Sequence, residues 1–139
     1  MSPLVREYEV PGDDFARAGE ASGHIKSMLK ELGFAPAMIR RVAITTYEAE
    51  INMVIHADGG RVEVDVGMDA ITLRLIDHGP GIPDVNQAME EGFTTAGDVA
   101  RDLGFGAGMG LPNMKRYSDE MRIDTTVGVG TTVTMKIRI

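Results

Sequence analysis

Residues 61–84 read RVEVDVGMDAITLRLIDHGPGIPD, and their pattern decides the fold. Val62, Val64 and Val66 alternate with Arg61, Glu63 and Asp65, and Ile71, Leu73 and Leu75 alternate with Thr72 and Arg74, across the turn Gly67-Met68-Asp69-Ala70. A period of two with apolar residues on one side predicts a β-hairpin with one buried face. After Asp77 the period breaks into His78-Gly79-Pro80-Gly81-Ile82-Pro83-Asp84, a turn placed directly at a strand end.

Upstream, the pattern changes to the helical period. Ile39, Val42, Ala43, Ile51, Val54 and Ile55 recur along a segment opened by Pro36 and stopped by Asp58-Gly59-Gly60, which predicts a long helix with an apolar stripe. An earlier helix is expected from a cap at Asp13 or Asp14 to Gly33, with Phe15, Ala18, Ile25, Met28, Leu29 and Leu32 inward. Leu4–Val10 reads as a strand at a sheet edge, closed by Pro11-Gly12. Downstream come a short helical piece near Asn86–Glu91, an aperiodic stretch from Gly92 to Gly110 and a helix from about Leu111 to Glu120. A last hairpin follows, 121–126 with 132–138, across Val127-Gly128-Val129-Gly130. Long aperiodic stretches inside a domain are usually functional or mobile. Four or five strands with one apolar face, and helices to cover it, predict an α+β two-layer sandwich: a mostly antiparallel sheet with helices on one face.

At 139 residues, with 43% hydrophobic and 25% charged residues, positions 1–139 are expected to form one domain. No apolar run reaches the length of a membrane span, and the N-terminus lacks a secretory pattern, so a cytoplasmic protein with no membrane association is expected. The absence of cysteine excludes disulfides, thiolate metal sites and cysteine nucleophiles. A formal charge of −7 argues against direct nucleic-acid binding. Aromatic residues are 5% and methionines number ten, so the core is aliphatic and adaptable.

Seventeen glycines gather at 79–81 and 104–110, which invites a nucleotide reading. There is no Gly-Lys pair, hence no P-loop, and GxGxxG fails because positions 109 and 111 are Met and Leu. The run Gly104-Phe105-Gly106-Ala107-Gly108-Met109-Gly110-Leu111 leads into a helix, where backbone N–H groups and the helix N-terminus can meet phosphate; by itself it reads equally as a glycine hinge. Asp77 at a strand end can accept from an exocyclic amine, with Gly79 and Gly81 leaving room for a flat base, or the same residues form a tight turn. Glu48, Asn52 and His56 stand four apart and share one helix face, either toward a cleft or toward solvent. An Asn amide oxygen suits Mg²⁺ held mainly by phosphates, and a nearby carboxylate suits a general base. Glu50, about 200° round the helix from Asn52, is expected to point elsewhere and be solvated.

In this order, ExxxN on a helix, DxGxG after a strand, a glycine-rich segment leading into a helix and the closing Gly130-Thr131-Thr132 resemble the nucleotide-binding boxes of the GHKL (Bergerat-fold) ATPase and kinase superfamily. The agreement covers about residues 40–135. Small size, EAxxN followed by His56, GPGIPD and MEEGFTT are similar to the bacterial anti-sigma-factor and switch-protein serine kinases.

The resemblance implies ATP and Mg²⁺. It makes Glu48 the base that activates the attacking hydroxyl and Asn52 the magnesium ligand. Asp77 would read the adenine amino group, with Gly79, Gly81 and Ile82 shaping the base pocket. Gly104, Gly106, Gly108, Met109, Gly110 and Leu111 would lie along the phosphates, Thr131 or Thr132 would help hold the base, and Arg101 would approach the γ-phosphate. The glycine segment is richer than the simplest GxGxGL form, which leaves the register of its phosphate contacts open. The implied function is an ATP-dependent serine/threonine protein kinase acting on a STAS-domain anti-anti-sigma antagonist and regulating a sigma factor or its upstream switch, with a homodimer plausible from the resemblance. The alternative is an anti-sigma binding module in which nucleotide orders the partner surface with little phosphoryl transfer.

Overall fold

The computed structural model describes residues 4–12, 15–56, 59–90 and 110–139. Its five strands are β1 (Leu4–Pro11), β2 (Gly59–Val66), β3 (Ala70–Asp77), β4 (Glu120–Thr126) and β5 (Gly130–Arg138). They form one sheet in the order β1-β2-β3-β5-β4, every neighbouring pair antiparallel. The helices are α1 (Glu20–Glu31), α2 (Pro36–His56), the single turn α3 (Val85–Ala88) and α4 (Gly110–Tyr117). This is the expected α+β arrangement, with β1 at an edge.

Register explains the single apolar face. Val62, Val64 and Val66 stand opposite Leu75, Leu73 and Ile71, and Leu75, Leu73 and Ile71 opposite Val133, Met135 and Ile137, so one side of the sheet is a continuous aliphatic surface. Ile71, Leu73, Met135 and Ile137 are fully buried there with Ile25 and Leu29 of α1, Val42 and Val54 of α2 and Met114 of α4. Each such side chain contributes about 1.5–3 kcal/mol. The other side carries Glu7, Arg61, Glu63, Glu120, Arg122, Asp124, Lys136 and Arg138, joined as ion pairs in high dielectric. A one-sided antiparallel sheet tolerates this because water satisfies its outer face.

Several element bounds differ from the sequence reading, the helix ends most. The first helix begins at Glu20, not at the Asp13-Asp14 cap, and a 3-10 turn at Phe15–Arg17 precedes it. Gly19 at its N-cap has φ +95°, a left-handed conformation that interrupts any helix running through it, and offers no side-chain cap. Helix α4 stops at Tyr117, because Glu120 already pairs with Lys136 in the sheet. The short helix starts at Val85, its cap Asp84 accepting from the Gln87 N–H.

The cap missing at Gly19 comes from α2. Glu50, expected in solvent, is 1% exposed. Its Oε2 accepts from the N–H groups of Gly19 (3.0 Å) and Ala21 (3.1 Å), and its Oε1 from that of Ser22 (3.0 Å). A carboxylate on the exposed donors of a helix N-terminus satisfies them and meets the positive end of the helix dipole. The Tyr47 ring closes over the same point; a Cβ at residue 19 would lie 3.1 Å from it, a second requirement for glycine.

At the far corner, Arg41 donates through Nε to the Tyr117 carbonyl (3.2 Å) and through Nη2 to Asp119 (3.1 Å). The same Asp119 oxygen accepts the Arg138 N–H at 2.7 Å. The Arg138 N–H first, then Arg41, hold the Asp119 carboxyl below the ordinary aspartate value.

Two stability predictions follow from these contacts. Glu50→Ala leaves three backbone N–H groups without an acceptor and is expected to cost roughly 2–5 kcal/mol, whereas Glu50→Gln, which keeps one oxygen acceptor, costs less. Urea unfolding followed by circular dichroism orders the two; equal stability of Glu50→Ala and the unaltered protein would contradict the cap. Because the folded value of Asp119 is depressed, its stabilisation is full above the ordinary value of 3.8 and is lost as pH falls through the folded value. Thermal melts should therefore show Asp119→Asn less stable than the unaltered protein at pH 7, with the gap closing as the pH is taken below 3.8.

Candidate functional site

Asp77 ends β3 opposite Thr131 of β5. Its Oδ1 accepts from the N–H groups of Gly79 (2.9 Å) and Thr131 (3.2 Å). One carboxylate oxygen is thus committed to backbone, which fixes the plane of the group and leaves Oδ2 as the acceptor for a donor outside the sheet. Thr131 is 7% exposed, and its hydroxyl lies 2.9 Å from that of Thr125, which accepts the Ile82 N–H at 2.8 Å. Asp77, Gly79, Ile82 and Thr131 therefore belong to one hydrogen-bonded corner. Thr132 pairs with Ile76 on the opposite side of the sheet from Thr131. Both threonines, with Asp77 and Gly130, border a cleft of about 370 Å³ at this end of the sheet.

The turn after Asp77 needs its glycine. Gly81 has φ +79°, and a Cβ there would stand 2.6 Å from the Thr126 carbonyl oxygen. The Gly128 N–H donates to the Pro80 carbonyl at 2.9 Å, so the β4–β5 turn and the 79–82 segment lie against each other.

Helix α2 brings the second group of residues to this corner. A Cβ at Gly60 would lie 3.0 Å from Met53 Sδ and 3.2 Å from the Asp77 Cα, so the turn of α2 that carries Asn52 packs over the end of β3. Asn52 and Glu48 are both half-buried and face the start of α4. A Cβ at Gly110 would be 3.0 Å from both Asn52 amide atoms, and Asn113 Nδ2 lies 3.4 Å from Glu48 Oε1. Leu111, 9% exposed, and Met114, fully buried, anchor α4 beneath this contact. Pro112 is accommodated in the first helical turn, where no intrahelical N–H bond is lost. Tyr47 adjoins the same carboxylates: burial first, then the Glu48 and Glu50 charges, push its phenol above the ordinary value.

Of the residues expected from sequence, Glu48, Asn52, Asp77, Gly79, Gly81, Ile82, Gly110, Leu111 and Thr131 are thus brought to one end of the sheet. Arg101, Gly104, Gly106, Gly108 and Met109 lie outside the described residues, as does the side chain of His56. Two residues of this region escape the sequence reading, and a third, Glu50, is placed wrongly by it. Thr125 and Asn113 sit in stretches read only as strand and helix, and nothing in a lone Thr or Asn distinguishes them. Glu50 follows Ala49 within the motif stretch itself, and its depth is set by the left-handed Gly19 it caps. Among the described residues no helix is long and apolar enough to cross a membrane.

The arrangement has known counterparts. Residues 39–139 match the family of histidine kinase-, DNA gyrase B- and HSP90-like ATPases. The chain is 33% identical over 112 residues to the serine/threonine-protein kinase RsbT of Bacillus subtilis, covering 78% of each chain. It is 35% identical over 104 residues to the anti-sigma F factor of Clostridium beijerinckii, covering 70% of this chain and 69% of the relative. With the anti-sigma F factor of Clostridium novyi it shares 30% identity over 133 residues, 91% of this chain and 86% of the other. The chain belongs to the histidine kinase-, DNA gyrase B- and HSP90-like ATPase family, within its branch of anti-sigma serine kinases.

Proposed function

We propose that this protein is an ATP-dependent serine/threonine kinase of the anti-sigma type, which phosphorylates a hydroxyl on a small STAS-domain antagonist and thereby sets whether a sigma factor, or the switch above it, is released. It acts in the cytoplasm on transcription regulation without touching nucleic acid, and its working form is a homodimer. The observation that carries the reading is the Asp77 carboxylate, one oxygen bound by two backbone N–H groups and the other left for a donor, beside a helix turn bearing Glu48 and Asn52.

In this reading the adenine amino group donates to Asp77 Oδ2, with Gly81 and Ile82 against the base and Thr131 supporting it. Asn52 offers Mg²⁺ the hard amide oxygen it prefers, and the bound ion would neutralise phosphate charge. The acceptor oxygen attacks the γ-phosphorus and forms a new O–P bond. The bond from that phosphorus to the β–γ bridging oxygen breaks, ADP leaves with the electron pair, and the hydroxyl proton passes to Glu48. Gly104, Gly106 and Gly108 would supply backbone N–H groups to the phosphates, and Arg101 would approach the transferred group.

Calorimetric titration with ADP and ATP, with and without Mg²⁺, tests the pocket. In Asp77→Asn the Oδ1 still satisfies Gly79 and Thr131, but an amide N–H₂ then faces the adenine amine, donor against donor. Affinity is expected to fall at least about tenfold with the melting temperature nearly unchanged. Absence of nucleotide binding by the folded, unaltered protein would remove the proposal. Glu48→Gln should keep nucleotide affinity yet lower phosphate transfer to a cognate STAS-domain protein by about 10²–10⁴-fold, the usual worth of a general base. Gly110→Ala pushes on the Asn52 amide and is expected to weaken the Mg²⁺ enhancement of ATP binding more than it weakens Mg²⁺-free ADP binding.

A further inference from the structure

Helices α2 and α4 meet along one stripe. Arg41, Glu48 and Asn52 are spaced seven and four apart, which places them on a single face of α2. Each holds a different level of α4: Asn52 abuts Gly110, Glu48 accepts from Asn113, and Arg41 donates to the carbonyl of Tyr117 at the last turn. Leu111 and Met114, buried beside this stripe, keep α4 from rolling. The turn of α4 that touches Asn52 therefore also places an amide donor on Glu48.

From this contact we infer that Asn113 is a positioning residue for Glu48, fixing Oε1 so that Oε2 is presented to the acceptor hydroxyl. The inference rests on Glu48 acting as the base. A Glu carboxylate turns easily about its last torsion, whose profile is broad, so a base with no second partner would spend its time in many planes. One donor on one oxygen selects a plane. An amide suits the task better than a cation, since it orients the carboxylate without pairing away the negative charge that draws the proton. The 3.4 Å separation is at the long end for a hydrogen bond, a length typical of catalytic contacts before the reacting complex tightens them. When the hydroxyl oxygen bonds to the γ-phosphorus and ADP departs with the electron pair, the proton then goes to Oε2 while Oε1 keeps its bond to Asn113.

Single-turnover hydrolysis of γ-labelled ATP, with water in place of the protein hydroxyl, measures the effect beside ADP affinity by calorimetry. Asn113→Leu, equal in size and without a donor, and Asn113→Asp, equal in shape and an acceptor, are expected to slow turnover about 10–100-fold. ADP affinity should change less than about threefold, and Asn113→Gln should recover part of the rate. On a Glu48→Gln background Asn113→Leu should add less than about a twofold loss, because the two residues act as one unit. Independently of turnover, the Asn113 side-chain amide resonance should move when Glu48 becomes Gln. Unchanged turnover in Asn113→Leu, or the same fractional loss on both backgrounds, overturns the inference while leaving the kinase reading intact. An unaltered protein that binds ATP but never turns it over removes the base role of Glu48 and this inference with it.

Discussion

Glu48 and Glu50 stand two residues apart on one helix and therefore point about 200° away from each other, and the molecule is arranged round that divergence. Glu50 turns toward α1 and supplies the acceptor that Gly19 lacks. Glu48, with Asn52 one turn on, turns toward α4 and the end of β3. A slip of α2 by one residue would move both carboxylates by about 100°, undoing the α1 cap and the candidate site together. The same helix is held to the sheet by Val42, Met53 and Val54, so its rotation is set by aliphatic packing and inherited by the polar residues.

The sheet supplies the complementary constraint. Asp77 has one oxygen fixed and one free because it is the last residue of a strand whose neighbour, β5, offers the Thr131 N–H at the right register, and because the chain then turns at once to offer that of Gly79. An aspartate one position earlier would face the other side of the sheet, among the exposed ion pairs. Strand parity thus chooses the residue, and Gly81, held against the Thr126 carbonyl, keeps the turn close enough for Thr125 to receive the Ile82 N–H.

How much of this was legible in the sequence depends on the range of the signal. The alternation from Val62 to Leu75 and the stripe from Ile39 to Val54 depend on residues a few positions apart, and both elements stand where the periods place them. Spacing also puts Glu48 and Asn52 on one face, and strand-end position singles out Asp77. The failures are contacts between residues distant in sequence. Helical spacing turns Glu50 away from Asn52 and, taken alone, into solvent; its burial requires Gly19, Ala21 and Ser22, about thirty residues away, to turn their N–H groups toward it. The start of α1 departs from the local pattern for the same reason, since its capping oxygen comes from another helix, whereas Asp13-Asp14 offers an ordinary local cap. Asn113 acquires meaning only from Glu48, sixty-five residues earlier.

The family match begins at residue 39, inside the first turn of α2, so β1 and α1 precede the matched region. They are joined to it by two kinds of contact. Ala21, Ile25 and Leu29 bury an aliphatic stripe, which fixes that α1 packs there but tolerates small shifts along its axis. The Glu50 carboxylate, bonded to the backbone N–H groups of Gly19, Ala21 and Ser22, admits no such shift, because one residue of sliding would exchange a satisfied N–H for an unsatisfied one. The buried charge therefore sets the register of α1 on α2. Register set in this way is transmitted along α2 to the turn that bears Glu48, so the packing of the N-terminal helix and the orientation of the candidate base are not independent properties of this fold.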